Sequence, residues 1–185
     1  MKKIAIFISG TGSNAKKIIR YFKPSSSIKV SLIVSGLEES PLLPYAKERG
    51  IEVKKINKAF LSNINKMSFL LKKIDLIVLA GFLWLIPHDL VRLFNKRIIN
   101  IHPALLPKYG GTGMYGMNVH RAVFENKDEF SGITIHYVNK KYDKGEVIFQ
   151  KKCAVSHLKS PAEIQKKVLE LEHRYYSKII ERLLL

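Results

Sequence analysis

The sequence predicts a three-layer α/β fold, Rossmann-like, in which a mixed sheet of about seven strands is covered by helices on both faces. Short runs rich in β-branched residues alternate with longer segments of helical periodicity, a pattern typical of a mostly parallel sheet. The last two strand-like runs are separated only by residues 139–145, which are too few for a crossover helix. These two strands should therefore form an antiparallel hairpin at one edge.

The elements are predicted in chain order from apolar runs and the turns between them. Ile4 to Ile8 predicts the first strand, and the connector Pro24 to Ser27 follows the first helix. The run Leu76 to Ile86 is too short to cross a bilayer and indicates a buried strand with its following turn. Strands are expected near 3–9, 29–35, 51–56, 75–80, 97–101, 132–138 and 145–151. Helices are expected near 13–23, 41–49, 60–72, 87–94, 117–126 and 160–183.

Length and composition favour a single domain over residues 1–185. The chain has 185 residues, 46% of them hydrophobic, which is enough to bury one core, and it contains no internal repeat. Its start shows no apolar targeting segment with a cleavage site, so we expect a cytoplasmic protein without a membrane partner. The lone cysteine, Cys153, cannot form an internal disulfide, and no Cys/His spacing predicts a metal site.

The net charge of +17 raises the question of a nucleic-acid partner. Such a partner usually requires a basic stripe with interleaved aromatic residues. Here the lysines form pairs that flank different elements: Lys2-Lys3, Lys16-Lys17, Lys54-Lys55, Lys72-Lys73, Lys140-Lys141, Lys151-Lys152 and Lys166-Lys167. Because the pairs are dispersed, we expect solvated faces and no nucleic-acid partner. A noncatalytic nucleic-acid-binding protein is the distant alternative.

Four loops that follow predicted strands concentrate the glycines and polar residues. They are residues 10–14, 81–84, 100–103 and 139–145, after the first, fourth, fifth and sixth strands. Ligands of open α/β sheets bind at the carboxyl ends of parallel strands, where the loops are free to vary. If these strands all run parallel, the four loops meet at one edge.

The first of these loops, Gly10 to Ala15, is a tight strand-to-helix turn. Its glycines let backbone amides approach an anion, and the helix N-terminus adds positive potential. A dinucleotide site also needs an acidic residue at the end of the second strand, which instead ends Ile33 to Gly36. The turn therefore favours a single phosphate over NAD, with a purely structural connection as the alternative.

Asn100 and His102 form a second candidate constellation. Alternation along the strand places both on the same side, and Pro103 and Pro107 stiffen the chain that follows. Asp143, in the hairpin loop, can face His102, and a carboxylate there would raise the imidazole pKa and fix the ring. Taken alone, His102 could be structural and Asp143 a turn residue.

The other histidines carry weaker signals. No partner set is visible for His88, His136 and His157, which we interpret as structural. His120 and His173 could line a pocket, but solvated or capping roles are favoured.

Together these segments resemble the folate-dependent formyltransferases, and within them the small single-domain branch that formylates phosphoribosylglycinamide. The similarity extends over nearly the whole chain. The segments that carry it are Ile8 to Asn14, Ala80 to Phe82, Asn100 to Tyr109, Gly132 to Val138 and Glu172 to His173. The resemblance implies the formyltransferase fold. It also implies transfer of the formyl group of 10-formyltetrahydrofolate to the glycinamide amine, a step of purine biosynthesis.

The resemblance further implies a role for individual residues. The ribonucleotide would be bound by Gly12, Ser13, Asn14, Pro103 and Glu172. The folate would be bound by Leu83, Trp84, Leu85, Ile86, Asn100, Val138, Asn139, Lys140, Lys141, Tyr142 and Asp143. Catalysis would rest on Asn100, His102 and Asp143, with 10-formyltetrahydrofolate as co-substrate and neither a metal nor NAD. We expect a monomer or homodimer with small-molecule substrates.

These roles imply a mechanism. Attack of the glycinamide amine on the formyl carbon creates an oxyanion, which positioned donors must stabilise. Asn100 and a protonated His102 can donate to it. His102 can also pass the proton to the leaving folate nitrogen, directly or through a water held by Asp143.

Some positions depart from the common pattern of the family and leave folate contacts open. Trp84 and Asn63 lie at or near positions where many relatives have arginine, and Lys144 replaces a usual glycine. The stretch Gly110 to Asn118 is longer than the commonest loop and predicts a mobile lid.

Two enzymes of the same superfamily are the alternatives. Methionyl-tRNA formyltransferase adds a C-terminal nucleic-acid-binding domain, and formyltetrahydrofolate hydrolase adds an N-terminal regulatory domain. Since 185 residues accommodate only one catalytic unit, we expect the glycinamide substrate.

Overall fold

The framework of the computed structural model, which describes residues 1–185, is a seven-stranded sheet with helices on both faces. The strands are β1 (Lys2–Ile8), β2 (Ile28–Ser35), β3 (Glu52–Lys55), β4 (Leu76–Leu79), β5 (Ile98–His102), β6 (Phe130–Tyr137) and β7 (Val147–Ala154). The helices are α1 (Ser13–Phe22), α2 (Leu42–Lys47), α3 (Lys58–Ser62), α4 (Ile64–Leu71), α5 (His88–Leu93), α6 (Met117–Glu125) and α7 (Pro161–Leu184). None of these helices combines the length and the apolar character needed to cross a bilayer. The predicted α/β class with a mixed sheet is confirmed.

The strands are arranged in the order β3-β2-β1-β4-β5-β6-β7. Strands β1 to β5 run parallel, and the predicted antiparallel hairpin of β6 and β7 is confirmed. However, β6 also runs antiparallel to β5, so the condition that the first, fourth, fifth and sixth strands all run parallel is not met. The connection between β5 and β6, which contains α6, starts and ends at the carboxyl edge, and β6 therefore runs away from that edge.

Two cores cover the two faces of the sheet. Along β1, Ile4, Ile6 and Ile8 belong to one buried cluster, whereas Ala5 and Phe7 belong to the other. This alternation is the period of two expected of a strand that is buried on both faces. The first cluster includes apolar residues of α1, α2 and α7, and the second includes those of α3, α4 and α5. The result is the predicted three-layer arrangement.

The helix expected near 60–72 is interrupted, and this prediction is wrong. Asn63 has an extended backbone between α3 and α4, and its side-chain oxygen accepts from the Lys66 amide at 3.0 Å. Asn57 caps α3 in the same way, through the Phe60 amide at 2.8 Å. Asparagine is among the best helix N-caps, so each of these residues begins a helix. Asn63 thus has a structural role.

The expectation that the lysine pairs stay on separate faces is also wrong. Lys3, Lys54, Lys72 and Lys73 come from three different pairs, yet they line one groove. The sheet order β3-β2-β1-β4 brings β3, β1 and the segment that leads into β4 within reach of one groove, although these segments are far apart in sequence.

Candidate active site

A cavity of about 550 Å³ lies at the carboxyl edge of the parallel strands. It is bounded by the start of α1, the turn after β4, the end of β5, the loop 111–116, the loop 138–143 and one face of α7. Every residue predicted to bind a substrate or to act in catalysis lines this cavity, except Gly12 and Lys140. The structure therefore brings the predicted residues together from five segments of the chain, and the loop 111–116 adds a sixth wall.

Gly12 and Lys140 occupy different positions from those expected. Gly12 is buried and precedes α1 with a φ of 77°, and a Cβ there would approach Cβ of Leu42 to 2.8 Å. Its contribution is thus the close packing of the turn against α2, since only glycine has both the conformation and the space. Lys140 is exposed on its loop, outside the cavity lining.

His102 and Asp143 are in contact within the cavity. Nδ1 of His102 lies 3.5 Å from Oδ2 of Asp143, and the Gly111 amide donates to the same oxygen at 2.9 Å. Nε2 of His102 lies 2.7 Å from the Tyr109 carbonyl, which can only accept, so Nε2 carries the proton of the neutral ring. Nδ1 is consequently the nitrogen that can gain a proton, next to the carboxylate.

The loop that carries Asp143 explains how it reaches His102. Because β6 runs antiparallel to β5, the chain after Tyr137 starts near the beginning of β5. It then folds back toward the carboxyl edge, where Asp143 adopts a φ of 52°. Positive φ is uncommon outside glycine but is adopted more readily by aspartate than by most residues.

The expectation that Asp143 keeps His102 protonated near neutral pH is wrong. Burial lowers the pKa of His102 below its usual range, although the Asp143 carboxylate and the Tyr109 carbonyl act in the opposite direction. Burial also acts to raise the pKa of Asp143, but the neighbouring His136 ring, His102 and the Gly111 amide together hold it below its usual range. These shifts favour a neutral imidazole at His102 and an ionised carboxylate at Asp143.

His136, which we had interpreted as structural, belongs to the same cluster. Its Nδ1 donates to the Tyr137 carbonyl at 2.8 Å, which leaves Nε2 as an acceptor. The Asn100 amide donates to that Nε2 at 3.2 Å, and Oδ1 of Asp143 lies 3.5 Å from it. His136 therefore orients the side chain of Asn100, and the second N–H of the Asn100 amide stays free to act in the cavity.

Glu172 and Asn14 form a second polar pair in the cavity. Nδ2 of Asn14, in the first turn of α1, donates to Oε2 of Glu172 on α7. Burial raises the pKa of Glu172 to about 7, and the Asn14 hydrogen bond only partly opposes this shift. A buried carboxyl that titrates near neutral pH is typical of a functional position.

His120 also lies in the cavity, so the solvated or capping role that we favoured is wrong. Its ring is buried, burial lowers its pKa to about 4, and its Nδ1 has no hydrogen-bond partner. His173 is half-buried outside the lining, and its Nε2 likewise has no partner. The sequence signal for His120 was its position at the start of the predicted helix after the glycine-rich loop.

The turn after β4 contributes the apolar wall of the cavity. Leu83 and Leu85 are 43% and 44% exposed, whereas Ile86 is buried. Trp84 packs against Phe82, with ring centroids 5.6 Å apart, and its ring edge lies where a Cβ at Gly36 would come within 3.1 Å of it. Exposed leucines that line a cavity offer apolar surface to a ligand. No group of three His, Cys, Asp or Glu side chains is placed to hold a metal ion.

Comparison with known proteins places this geometry in a family. A model of the formyl transferase family matches residues 2–180. The chloroplastic phosphoribosylglycinamide formyltransferase of Arabidopsis thaliana is 41% identical over 187 residues, which cover 97% of this chain and 64% of that protein. The chain thus spans less than two thirds of that plant relative. The phosphoribosylglycinamide formyltransferase of Bacillus subtilis is 32% identical, with 100% of this chain and 95% of that protein covered.

Solved structures show the same fold. A glycinamide ribonucleotide transformylase of Geobacillus kaustophilus superposes with a TM-score of 0.89 at 26% identity, over 100% of both chains. The phosphoribosylglycinamide formyltransferase of Bacillus halodurans superposes with a TM-score of 0.88 at 28% identity, over 99% of this chain and 95% of that one. With a family match that extends over residues 2–180, this chain belongs to the formyl transferase family.

Proposed function

We propose that this chain transfers the formyl group of 10-formyltetrahydrofolate to the amine of phosphoribosylglycinamide. The observation that carries the proposal is the cluster of Asn100, His102 and Asp143 in a cavity that also holds a helix N-terminus, a buried glutamate and an exposed apolar turn. These parts suit two ligands of different chemistry, a phosphorylated polar one and a flat apolar one. The relatives of Arabidopsis and Bacillus subtilis that bear this enzyme's name support the same substrates.

The ribonucleotide is best accommodated by the start of α1 and by Glu172. No side chain caps α1, so the amides of its first turn, beginning at Ser13, are available to a phosphate. Glu172 can accept from hydroxyl or amine groups of the same ligand, and a cation there would favour its ionised form. Pro103, which also lines the cavity, can offer its carbonyl.

The pterin of the folate is best accommodated by the turn 83–86 and the loop 138–143. Leu83, Leu85 and Trp84 present apolar surface, and backbone groups of both segments are available to the edge of a heterocycle. Tyr142 links the two segments, since its hydroxyl lies 3.4 Å from the Leu83 carbonyl. Lys141 is the cation of the lining closest in sequence to Asp143.

The chemistry follows from a neutral His102. When the amine attacks the formyl carbon, Nδ1 of His102 accepts the amine proton, and the new imidazolium lies beside ionised Asp143. The free N–H of Asn100 stabilises the oxyanion as it forms. Collapse of the tetrahedral species breaks the bond to the folate nitrogen, which takes the proton from His102. The charge pair with Asp143 thus strengthens as the reaction proceeds, as catalysis requires.

A direct assay tests the proposal. The protein is incubated with both substrates, and release of tetrahydrofolate and a mass gain of one formyl group on the nucleotide are followed together. We expect both signals to depend on the nucleotide. Folate release without the nucleotide would show a hydrolase, and formylation of methionyl-tRNA but not of the glycinamide would show the other related activity. Asp89→Asn, an exposed change on α5, is the matched control for Asp143→Asn.

Three further expectations accompany this function as predictions. We propose a cytoplasmic protein that is a monomer or homodimer and requires no metal. Gel filtration with light scattering measures the oligomeric state. Activity after dialysis against a chelator tests whether a metal is required.

A further inference from the structure

A second groove lies at the amino edge of the sheet. It has a volume of about 580 Å³ and is formed by the starts of β1 and β3, the middle of β2, the α3 and α4 pair and the segment that leads into β4. It shares no lining residue with the candidate active site. The two cavities are therefore spatially separate.

The charge of this groove is strongly unbalanced. The lysines in its lining are Lys3, Lys54, Lys66, Lys72 and Lys73, against one carboxylate, that of Glu52. None of these ammonium groups forms a salt bridge. The nearby Asp75 pairs instead with the Lys2 side chain and the Lys3 backbone amide. The groove thus presents several unpaired cations around one cavity, which favours a polyanionic ligand.

Aromatic rings lie among these cations. Phe69 is 73% exposed on α4, and Nζ of Lys72 lies 4.6 Å from its ring centroid. The Phe60 ring is bordered by Lys54 and Lys66, at 5.3 Å and 5.9 Å. A cation can occupy one face of a ring and leave the other for stacking. Lysines beside exposed rings are the arrangement that proteins use to bind phosphates and bases of single strands.

We propose that this groove binds single-stranded nucleic acid, with backbone phosphates on its lysines and a base stacked on Phe69. Phe69 is the only strongly exposed apolar side chain of the lining, which is too little for the apolar centre of a protein interface. Binding to a membrane surface would likewise need several apolar groups that can insert. A base requires only one ring face, and the lysines of the same groove are available to the phosphates on either side of that base.

The test uses a fluorescein-labelled oligouridylate of about 20 nucleotides and fluorescence anisotropy from about 50 to 200 mM salt. Phe69→Ala should weaken binding roughly 5- to 100-fold through loss of one stacked base. Lys66→Gln with Lys72→Gln should reduce the slope of log affinity against log salt by about 1.4, since each lost phosphate contact contributes about 0.7. All three side chains are exposed, so the variants should keep their fold and their formyl transfer.

The matched control is Lys166→Gln with Lys178→Gln, which removes the same charge from exposed positions of α7. We expect this variant to keep the affinity and nearly the full salt slope. An equal loss in the control would overturn the proposal, because diffuse surface charge would then explain the binding. So would unchanged affinity in Phe69→Ala. Unlabelled oligouridylate should displace the probe more effectively than uridine monophosphate or anionic phosphatidylserine vesicles do. If either of these displaces it equally well, the groove does not select single-stranded nucleic acid, and the proposal is overturned.

Discussion

The Asp143 carboxylate lies 3.5 Å from Nδ1 of His102, the ring nitrogen that carries no proton in the neutral histidine. The Gly111 amide fixes the same carboxylate oxygen, so the distance is set by the backbone of the neighbouring loop. A proton that reaches Nδ1 arrives directly beside a negative charge. The pair is therefore built to stabilise an imidazolium that forms during the reaction.

Asp143→Asn tests this pair. The amide keeps the shape and can accept from Gly111, but the charge is lost, so we expect kcat to fall roughly 10²- to 10⁴-fold with smaller changes in KM. Because Asp143 acts to raise the pKa of His102, that pKa should fall further below its usual range in the variant. Steady-state kinetics and NMR titration of the His102 ring measure the two effects. Near-wild-type turnover would contradict the mechanism.

The double variant shows whether the two residues act as one unit. His102→Ala alone should be about as damaging as Asp143→Asn, roughly 10²- to 10⁴-fold in kcat. If Asp143 works through His102, the double variant should be little worse than the more damaged single one, since coupled groups are not additive. Losses that multiply would instead indicate separate roles. The kcat values of the four proteins complete the cycle.

The sequence was sufficient for the parts of the site that depend on local pattern. A glycine turn before a helix and polar residues that alternate at a strand end both locate ligand-binding edges of an α/β sheet. Asn100, His102 and Asp143 do lie together in the cavity. The direction of the His102 pKa shift was not predictable in the same way, because it depends on whether burial of the ring outweighs the nearby charge of Asp143.

The other predictions that were wrong concern residues whose roles depend on tertiary contacts. His136 becomes the partner of Asn100 only because β6 pairs antiparallel with β5, and the long connection between these strands is compatible with either direction. The cluster of Lys3, Lys54 and Lys72 likewise depends on strand order. Gly12 was correctly placed in the turn, but its packing against α2 is a tertiary contact that no local pattern reveals.

Ser13→Asp tests the phosphate assignment. The change places an anion at the first residue of α1, where free backbone amides should meet the nucleotide phosphate. We expect KM for the ribonucleotide to rise by at least tenfold, roughly the effect of 1.4 kcal/mol, with little change in folate affinity. Ser26→Asp, in the exposed connector after α1, is the control. An equal loss of both affinities would count against the assignment.

Trp84 should report folate binding. It is the only tryptophan, it lines the cavity, and its ring packs against Phe82 in the turn proposed to contact the pterin. A ligand that covers this turn changes the polarity around the indole, so its emission should shift or be quenched on titration with a folate analogue that lacks the formyl group. Phosphoribosylglycinamide alone should have a much smaller effect. An unchanged spectrum at saturating analogue would place the pterin elsewhere.

Glu172→Gln should change how stability depends on pH. The pKa of the buried carboxyl is about 7 in the folded protein, against an ordinary value of 4.5. Between pH 4.5 and pH 7 the carboxyl is therefore protonated in the folded protein but ionised in the unfolded chain. Its contribution to the free energy of unfolding is fully present below about pH 4.5 and is lost as the pH rises through about 7. As the pH rises across this interval, the carboxyl alone should lower the free energy of unfolding by roughly 1.4 kcal/mol per pH unit, or about 3 kcal/mol over the whole interval.

Glutamine resembles the protonated carboxyl and can still accept from Asn14, so the variant should lose this part of the pH dependence. At pH about 8 it should exceed the wild type in unfolding free energy by up to about 3 kcal/mol, and near pH 4 the two should converge. Urea unfolding across this range measures the difference, with Glu170→Gln on the exposed side of the same helix as the control. If wild type and Glu172→Gln keep a constant difference at every pH, the carboxyl does not titrate in the folded protein. A variant that is more stable yet binds the ribonucleotide less tightly would show that the buried carboxyl is retained for binding at the cost of stability.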